Sequence, residues 1–112
     1  MKKIDAIIRP HLLADVVSRL RLIGVTGMTV TEVQGISPST GVVGVFRGER
    51  YLMPSAPRCQ LMLVVPDNLA EPVVAAIART ARTKAAGDGI VAIGDVIEVF
   101  RVRTGESGPD AL

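Results

Sequence analysis

Two segments of helical periodicity, each flanked by extended apolar runs, constrain this chain more than any other feature. Residues 2–8 form a short apolar run ending at Arg9-Pro10, the pattern of a strand. Pro10 suits the first turn of a helix, where its missing N–H costs nothing. Leu12, Leu13, Val16, Val17, Leu20 and Ile23 recur at helical spacing and predict a helix over 10–23, stopped by Gly24. Residues 26–33, rich in Thr, Val and Met, predict a strand ending at Gly35. Residues 59–65 are almost continuously apolar and predict a buried strand. Asp67 or Asn68 is placed to cap the next helix, with Glu71 three residues beyond Asn68 as in a capping box; Val73, Val74, Ile77 and Ala81 mark its buried face. Gly87-Asp88-Gly89 breaks that helix. Residues 90–100 predict a last strand, bent at Gly94 and continued by Arg101-Val102-Arg103, before a polar tail over 104–112.

The order strand, helix, strand, strand, helix, strand closes most simply as an antiparallel sheet with both helices on one face. That is an α+β, ferredoxin-like βαββαβ sandwich. A chain of 112 residues has room for one domain, 1–112. Phe46, Tyr51 and Phe100 are its only aromatics, so the core is aliphatic. Few aromatics and a net charge of only +2 argue against a nucleic-acid partner. The sheet's open face is expected to be fairly apolar and to be covered by self-association. Cys59 is the single cysteine, which suits a reducing compartment. The apolar stretch Ala6-Ile7-Ile8 is too short for a signal peptide, and no run approaches transmembrane length. A cytoplasmic location is expected.

Residues 36–58, between the second and third predicted strands, exceed the about 12–15 residues beyond which a connection is usually functional or disordered. Turn formers (Ser37-Pro38-Ser39-Thr40-Gly41 and Pro54-Ser55-Ala56-Pro57) flank a middle that is apolar and basic, including Val42, Val43, Val45, Phe46, Arg47, Arg50, Tyr51, Leu52 and Met53. A plain disordered insertion would be more polar. Such an arm either finds burial in a partner or cleft, or forms a long hairpin packed on its own domain.

Consecutive N–H groups in the glycine turn Gly87-Asp88-Gly89 can form a concave anion nest, although a plain tight turn has the same sequence. Arg101 and Arg103, at i and i+2 of an extended segment, point to one face. Paired guanidinium forks suit a polyphosphate or carboxylates, and equally suit open solvent. There is no Walker A pattern and no complete G-x-G-x-x-G. Cys59 opens a buried strand and His11 lies in a helix's first turn, so they do not make a nucleophile–base pair. One His and one Cys do not furnish a metal site, and no catalytic residue is assigned.

The stretch Val25-Thr26-Gly27-Met28-Thr29-Val30-Thr31-Glu32-Val33-Gln34-Gly35 closely resembles the second strand of PII signal-transduction proteins, the nitrogen-regulatory family. So do Arg47-Gly48 with Tyr51, the glycine turn, and the ending Arg101-Val102-Arg103-Thr104-Gly105-Glu106-Ser107-Gly108-Pro109-Asp110-Ala111. The resemblance runs end to end and implies a homotrimer with adenine nucleotide (ATP, ADP or AMP) between neighbouring subunits. By that resemblance Ile7, Gly27, Met28 and Thr29 enclose the nucleotide, with Gly35, Arg58, Met62 and Val64 at further cleft positions. Gly87, Asp88 and Gly89 cradle phosphates, and Arg101 and Arg103 reach them from the adjacent chain. Residues 36–58 correspond to the mobile T-loop, with Ser37, Ser39, Thr40, Gly41, Arg47, Arg50 and Tyr51 as effector positions and Tyr51 where many members are uridylylated. The implied partner is a transporter or metabolic enzyme touched by that loop, with the membrane reached only through a transporter.

Four departures qualify this. Members that sense 2-oxoglutarate carry glycine at the position of Ser37, a magnesium-ligating glutamine at Ser39, and lysines at Arg58 and Ile90. Their loss disfavours magnesium–triphosphate with 2-oxoglutarate and leaves ADP or AMP favoured. The leading expectation is a divergent PII-like regulator, with bicarbonate a fitting small anion and inorganic-carbon metabolism a fitting context. The alternative is an orthodox nitrogen regulator that senses ATP, ADP and 2-oxoglutarate and controls ammonium transport or glutamine synthetase. An acylphosphatase-like hydrolase lacks its arginine–asparagine partnership here.

Overall fold

The computed structural model describes residues 1–36, 41–54 and 56–112, with the main chain alone over 41–46 and 50–54. β1 (Lys2–Ile8) is followed by a 3-10 turn (Pro10–Leu12) and α1 (Leu13–Leu22). Then come β2 (Thr29–Gly35), β3 (Gly41–Phe46), β4 (Glu49–Pro54), β5 (Ala56–Val65), α2 (Asp67–Ala81), β6 (Ile90–Asp95) and a last 3-10 turn (Gly108–Ala111). The main sheet runs β2-β5-β1-β6, antiparallel throughout, as the ferredoxin-like order requires.

Strand alternation builds the core. In β1, Ile4, Ala6 and Ile8 point to the helices and stand opposite Leu63, Leu61 and Cys59 of β5. Val16 and Leu20 of α1 and Val73, Ile77 and Ala81 of α2 close over them. Gly24 stops α1 at a φ of 103°, a conformation costly for any other residue. The open face is more polar than expected. Gln60 donates to Asp5 at 3.3 Å, and Lys3 pairs with Asp5 at 3.5 Å, in the middle of the sheet.

Three further expectations are corrected. Of the two forms left open for residues 36–58 the structure shows a hairpin, β3 and β4 pairing as a separate two-stranded ribbon, and the next strand, β5, begins at Ala56 rather than Cys59. The turn between them is Arg47-Gly48, with φ 52° and 83°, the doubly positive geometry that suits a two-residue hairpin. The radius of gyration, 16.7 Å against about 13 Å for a compact chain of this length, fits a ribbon projecting from the domain rather than lying on it. At α2, neither Asp67 nor Asn68 makes a side-chain cap: Pro66 holds that place, and its carbonyl accepts from the Leu69 N–H at 3.0 Å. Asp67 instead accepts the Met1 ammonium at 2.7 Å.

The last strand ends at Asp95, not beyond Phe100. Phe100 bridges back to Ser107, the Arg101 N–H donates to Glu106 O at 2.8 Å, and Gly105 turns the chain at φ 74°. Arg101 and Arg103 therefore sit in a turn, and the extended i, i+2 geometry does not exist. Among the described residues no helix is long and apolar enough to cross a membrane.

Candidate functional site

The segment between α2 and β6 is held by its own acid. Asp88 folds back to accept the main-chain N–H groups of Thr83 at 2.8 Å and Lys84 at 3.0 Å, and the Thr83 hydroxyl as well. Arg9, just past β1, donates its Nε to the same carboxylate at 3.3 Å. These donors, the Thr83 hydroxyl foremost, hold the Asp88 carboxyl down to about 2. Its charge is thus used inside the turn, and what the turn offers outward is main chain.

Two glycines are required by the geometry. Gly87 has φ 91° and Gly89 φ 108°. A Cβ on Gly89 would overlap the carbonyl oxygen of Ile7 and lie 2.8 Å from its carbonyl carbon. The turn is pressed directly onto the end of β1.

Arg58 is the one buried polar or charged residue among those described, 9% exposed. Its guanidinium donates to Pro57 O at 2.8 Å and to Gly87 O at 2.9 Å. Around it opens a cleft of about 680 Å³, lined by Ile7, Gly35, Arg58, Gly87, Asp88, Gly89 and Ile90 among others. Gly35 and Ile36 lie at the root of the β3–β4 ribbon, so the cleft touches the ribbon's base.

A second cleft of about 550 Å³ runs along the other end of β2 and β5. It brings together Gly27, Met28, Thr29, Met62, Val64 and Arg101. Arg101 is fixed there by donating to Ala111 O at 3.3 Å and Leu112 O at 3.0 Å. Arg103 is exposed and lines neither cleft. The residues expected around one nucleotide, Arg103 apart, thus lie along two separate clefts of one chain.

Of the effector positions, Ser37, Ser39 and Thr40 lie outside the described residues. Gly41 opens β3 opposite Pro54, Arg50 and Tyr51 lie in β4 opposite Val45 and Gly44, and Arg47 is exposed in the hairpin turn. His11 is exposed, while Cys59 is buried, its thiol against Ile8 O at 3.8 Å and raised above its ordinary value by that burial. Among the described residues no group of three or more His, Cys, Asp and Glu is placed to hold a metal. Sequence reasoning missed Arg9 and Thr83. No local signal marks Arg9, whose partners lie 77 and 79 residues away.

Residues 1–106 match the family described as nitrogen regulatory protein P-II. The chain belongs to the P-II family. Nitrogen regulatory protein P-II 1 of Escherichia coli (strain K12) is 45% identical over 112 residues, all of both chains. The P-II proteins of Klebsiella oxytoca and Pasteurella multocida are 44% and 43% identical over the same full length. This P-II chain is accordingly a signalling protein of the nitrogen-regulatory type and not an enzyme. The nitrogen-regulatory alternative is better supported than the inorganic-carbon reading: the relatives just compared are nitrogen regulators across their whole length.

Proposed function

We propose that this P-II protein acts in the cytoplasm as a homotrimeric nitrogen-regulatory sensor. Adenine nucleotide binds where the glycine-turn cleft of one copy meets the Met28–Arg101 cleft of a neighbour. The β3–β4 ribbon, rooted at the first of these clefts, reports occupancy to a transporter or metabolic enzyme. The observation that carries this reading is the division of the site. One cleft supplies main-chain donors at Gly87–Gly89 beside apolar Ile7; the other supplies Met28, Val64 and the anchored guanidinium of Arg101. Phosphates need donors converging from both sides, and a base needs apolar walls, so each half is completed by the other. Ile93, Ile97 and Val102, 54%, 98% and 101% exposed, supply apolar surface for self-association.

A second reading concerns the co-effector. Ile90, 67% exposed beside the glycine turn, brings no charge to that cleft, and Arg58 is already engaged with two carbonyls. These features count against magnesium–ATP with 2-oxoglutarate, and the second reading is nucleotide with a smaller anion such as bicarbonate.

Calorimetric titration with ADP, AMP and ATP, each with and without magnesium, 2-oxoglutarate and bicarbonate, tests both. Saturable binding of about one nucleotide per chain supports the sensor, and no binding of any of the three overturns it. Strong enhancement of magnesium–ATP binding by 2-oxoglutarate overturns the second reading and leaves the first standing.

A further inference from the structure

Arg9 and Arg58 stand side by side at the same end of the sheet. The β1–β5 register pairs Ile8 with Cys59, which places Arg9, just past β1, across from Arg58. Both guanidiniums reach the same turn. Arg9 donates to Ala86 O at 2.8 Å, and Arg58 donates to Gly87 O at 2.9 Å. Two successive carbonyls are therefore held by two arginines rooted in the core sheet.

In a trans peptide the carbonyl of one residue and the N–H of the next point in opposite directions. No cis peptide interrupts this stretch. Fixing the Ala86 carbonyl on Arg9 thus turns the Gly87 N–H away from Arg9, and fixing the Gly87 carbonyl on Arg58 turns the Asp88 N–H away from Arg58. Among the described residues neither N–H has a hydrogen-bond partner. They are donors turned away from the two arginines.

We propose that Arg9 and Arg58 are positioning residues. They set the direction of the Gly87 and Asp88 N–H donors toward a phosphate and do not themselves ligate it. The proposal rests on the nucleotide reading above and departs from the sequence expectation for Arg58, which placed it among the nucleotide's ligands. Arg58 has both terminal nitrogens on main-chain oxygens and is only 9% exposed, a poor disposition for meeting a ligand. Arg9 divides its fork between the Ala86 carbonyl and Asp88. A lysine keeps the charge of either residue but not its fork, so charge and positioning are separable.

The test uses the full chain as wild type, Arg9→Gln, Arg58→Gln, Arg9→Lys and Arg58→Lys. ADP affinity is read by calorimetry, and backbone order parameters of residues 87–89 are read by NMR without nucleotide. The expected result is a loss of about tenfold in ADP affinity for the glutamine variants. The turn should at the same time fall in the ADP-free protein from rigid values near ~0.85 toward ~0.6. The lysine variants fall between, and they carry the comparison where a glutamine variant does not fold. Affinity lost while the ADP-free turn stays rigid means direct ligation and overturns the proposal. Unchanged affinity in all four variants, with wild type binding normally, overturns it too. A wild type that binds no nucleotide overturns the underlying reading, a failure distinguishable because it precedes any variant.

Discussion

Replacing Gly89 with alanine tests how tightly the glycine turn is seated. Two costs add at this position. Its φ of 108° is costly for an L-residue with a Cβ, about 1–2 kcal/mol. The new methyl would also overlap Ile7 O and sit 2.8 Å from Ile7 C, where apolar atoms prefer about 3.5–4.0 Å. The obstacle is main chain in β1, hydrogen-bonded on both sides to β5 and β6, so it cannot swing aside as a side chain would. Forced overpacking of this kind costs about 1–3 kcal/mol. Together the loss is about 2–5 kcal/mol, a large share of an ordinary domain's stability. Gly27→Ala is the control: nothing lies within 4 Å of its Cβ and its φ is not positive, so its effect should stay within about 1 kcal/mol. Urea unfolding of both variants at one fixed protein concentration measures the difference. A Gly89→Ala cost below about 1 kcal/mol, or one matched by Gly27→Ala, would refute the reasoning.

Leu61→Ala, in the β5 strand opposite Ala6 and fully buried, should cost about 2–5 kcal/mol in the same assay; a cost under about 1 kcal/mol would mean the core lies elsewhere. Asp88 has a folded pKa of about 2, below its ordinary 3.8, so its stabilising contribution is complete above about pH 4 and is lost as pH falls toward 2. The melting-temperature gap between wild type and Asp88→Asn should therefore hold constant from pH 7 to about 4 and close only below that; closure above pH 5 contradicts it. Cys59, buried with its thiol pKa raised, should resist a disulfide reagent at pH 8 in the native protein and react once urea unfolds the chain. Reaction at the rate of a free thiol in native buffer would show that the strand is not closed.

The sandwich was legible because its parts carry period-specific patterns. Val16 and Leu20 repeat at helical spacing, Ile4, Ala6 and Ile8 alternate, and Gly24 ends α1 as glycine does. A hairpin is one of the two forms left open for residues 36–58, but its turn is not located, because Arg47-Gly48 lacks the Asn or Asp that usually precedes the glycine of a two-residue turn. The many surrounding turn formers masked it. Arg101-Val102-Arg103 misled because alternation of charge imitates a strand. The deciding residue is Gly105, whose positive φ lets the Phe100–Ser107 bridge close. The glycine turn could be found in sequence, but its supports could not, since Arg9 and Arg58 reach it only after the sheet has formed. The separation of the two proposed half-sites is likewise a property of three-dimensional placement.

The central claim is that one nucleotide bridges those two half-sites. An NMR titration of the isotope-labelled wild-type chain with ADP tests it most directly, following backbone amides of both clefts in one experiment. The account predicts that Gly87, Asp88 and Gly89 shift together with Gly27, Met28, Thr29, Val64 and Arg101. All should saturate on one curve at about one ADP per chain. Shifts confined to one cleft, two clefts saturating at different concentrations, or no shift at all would contradict it.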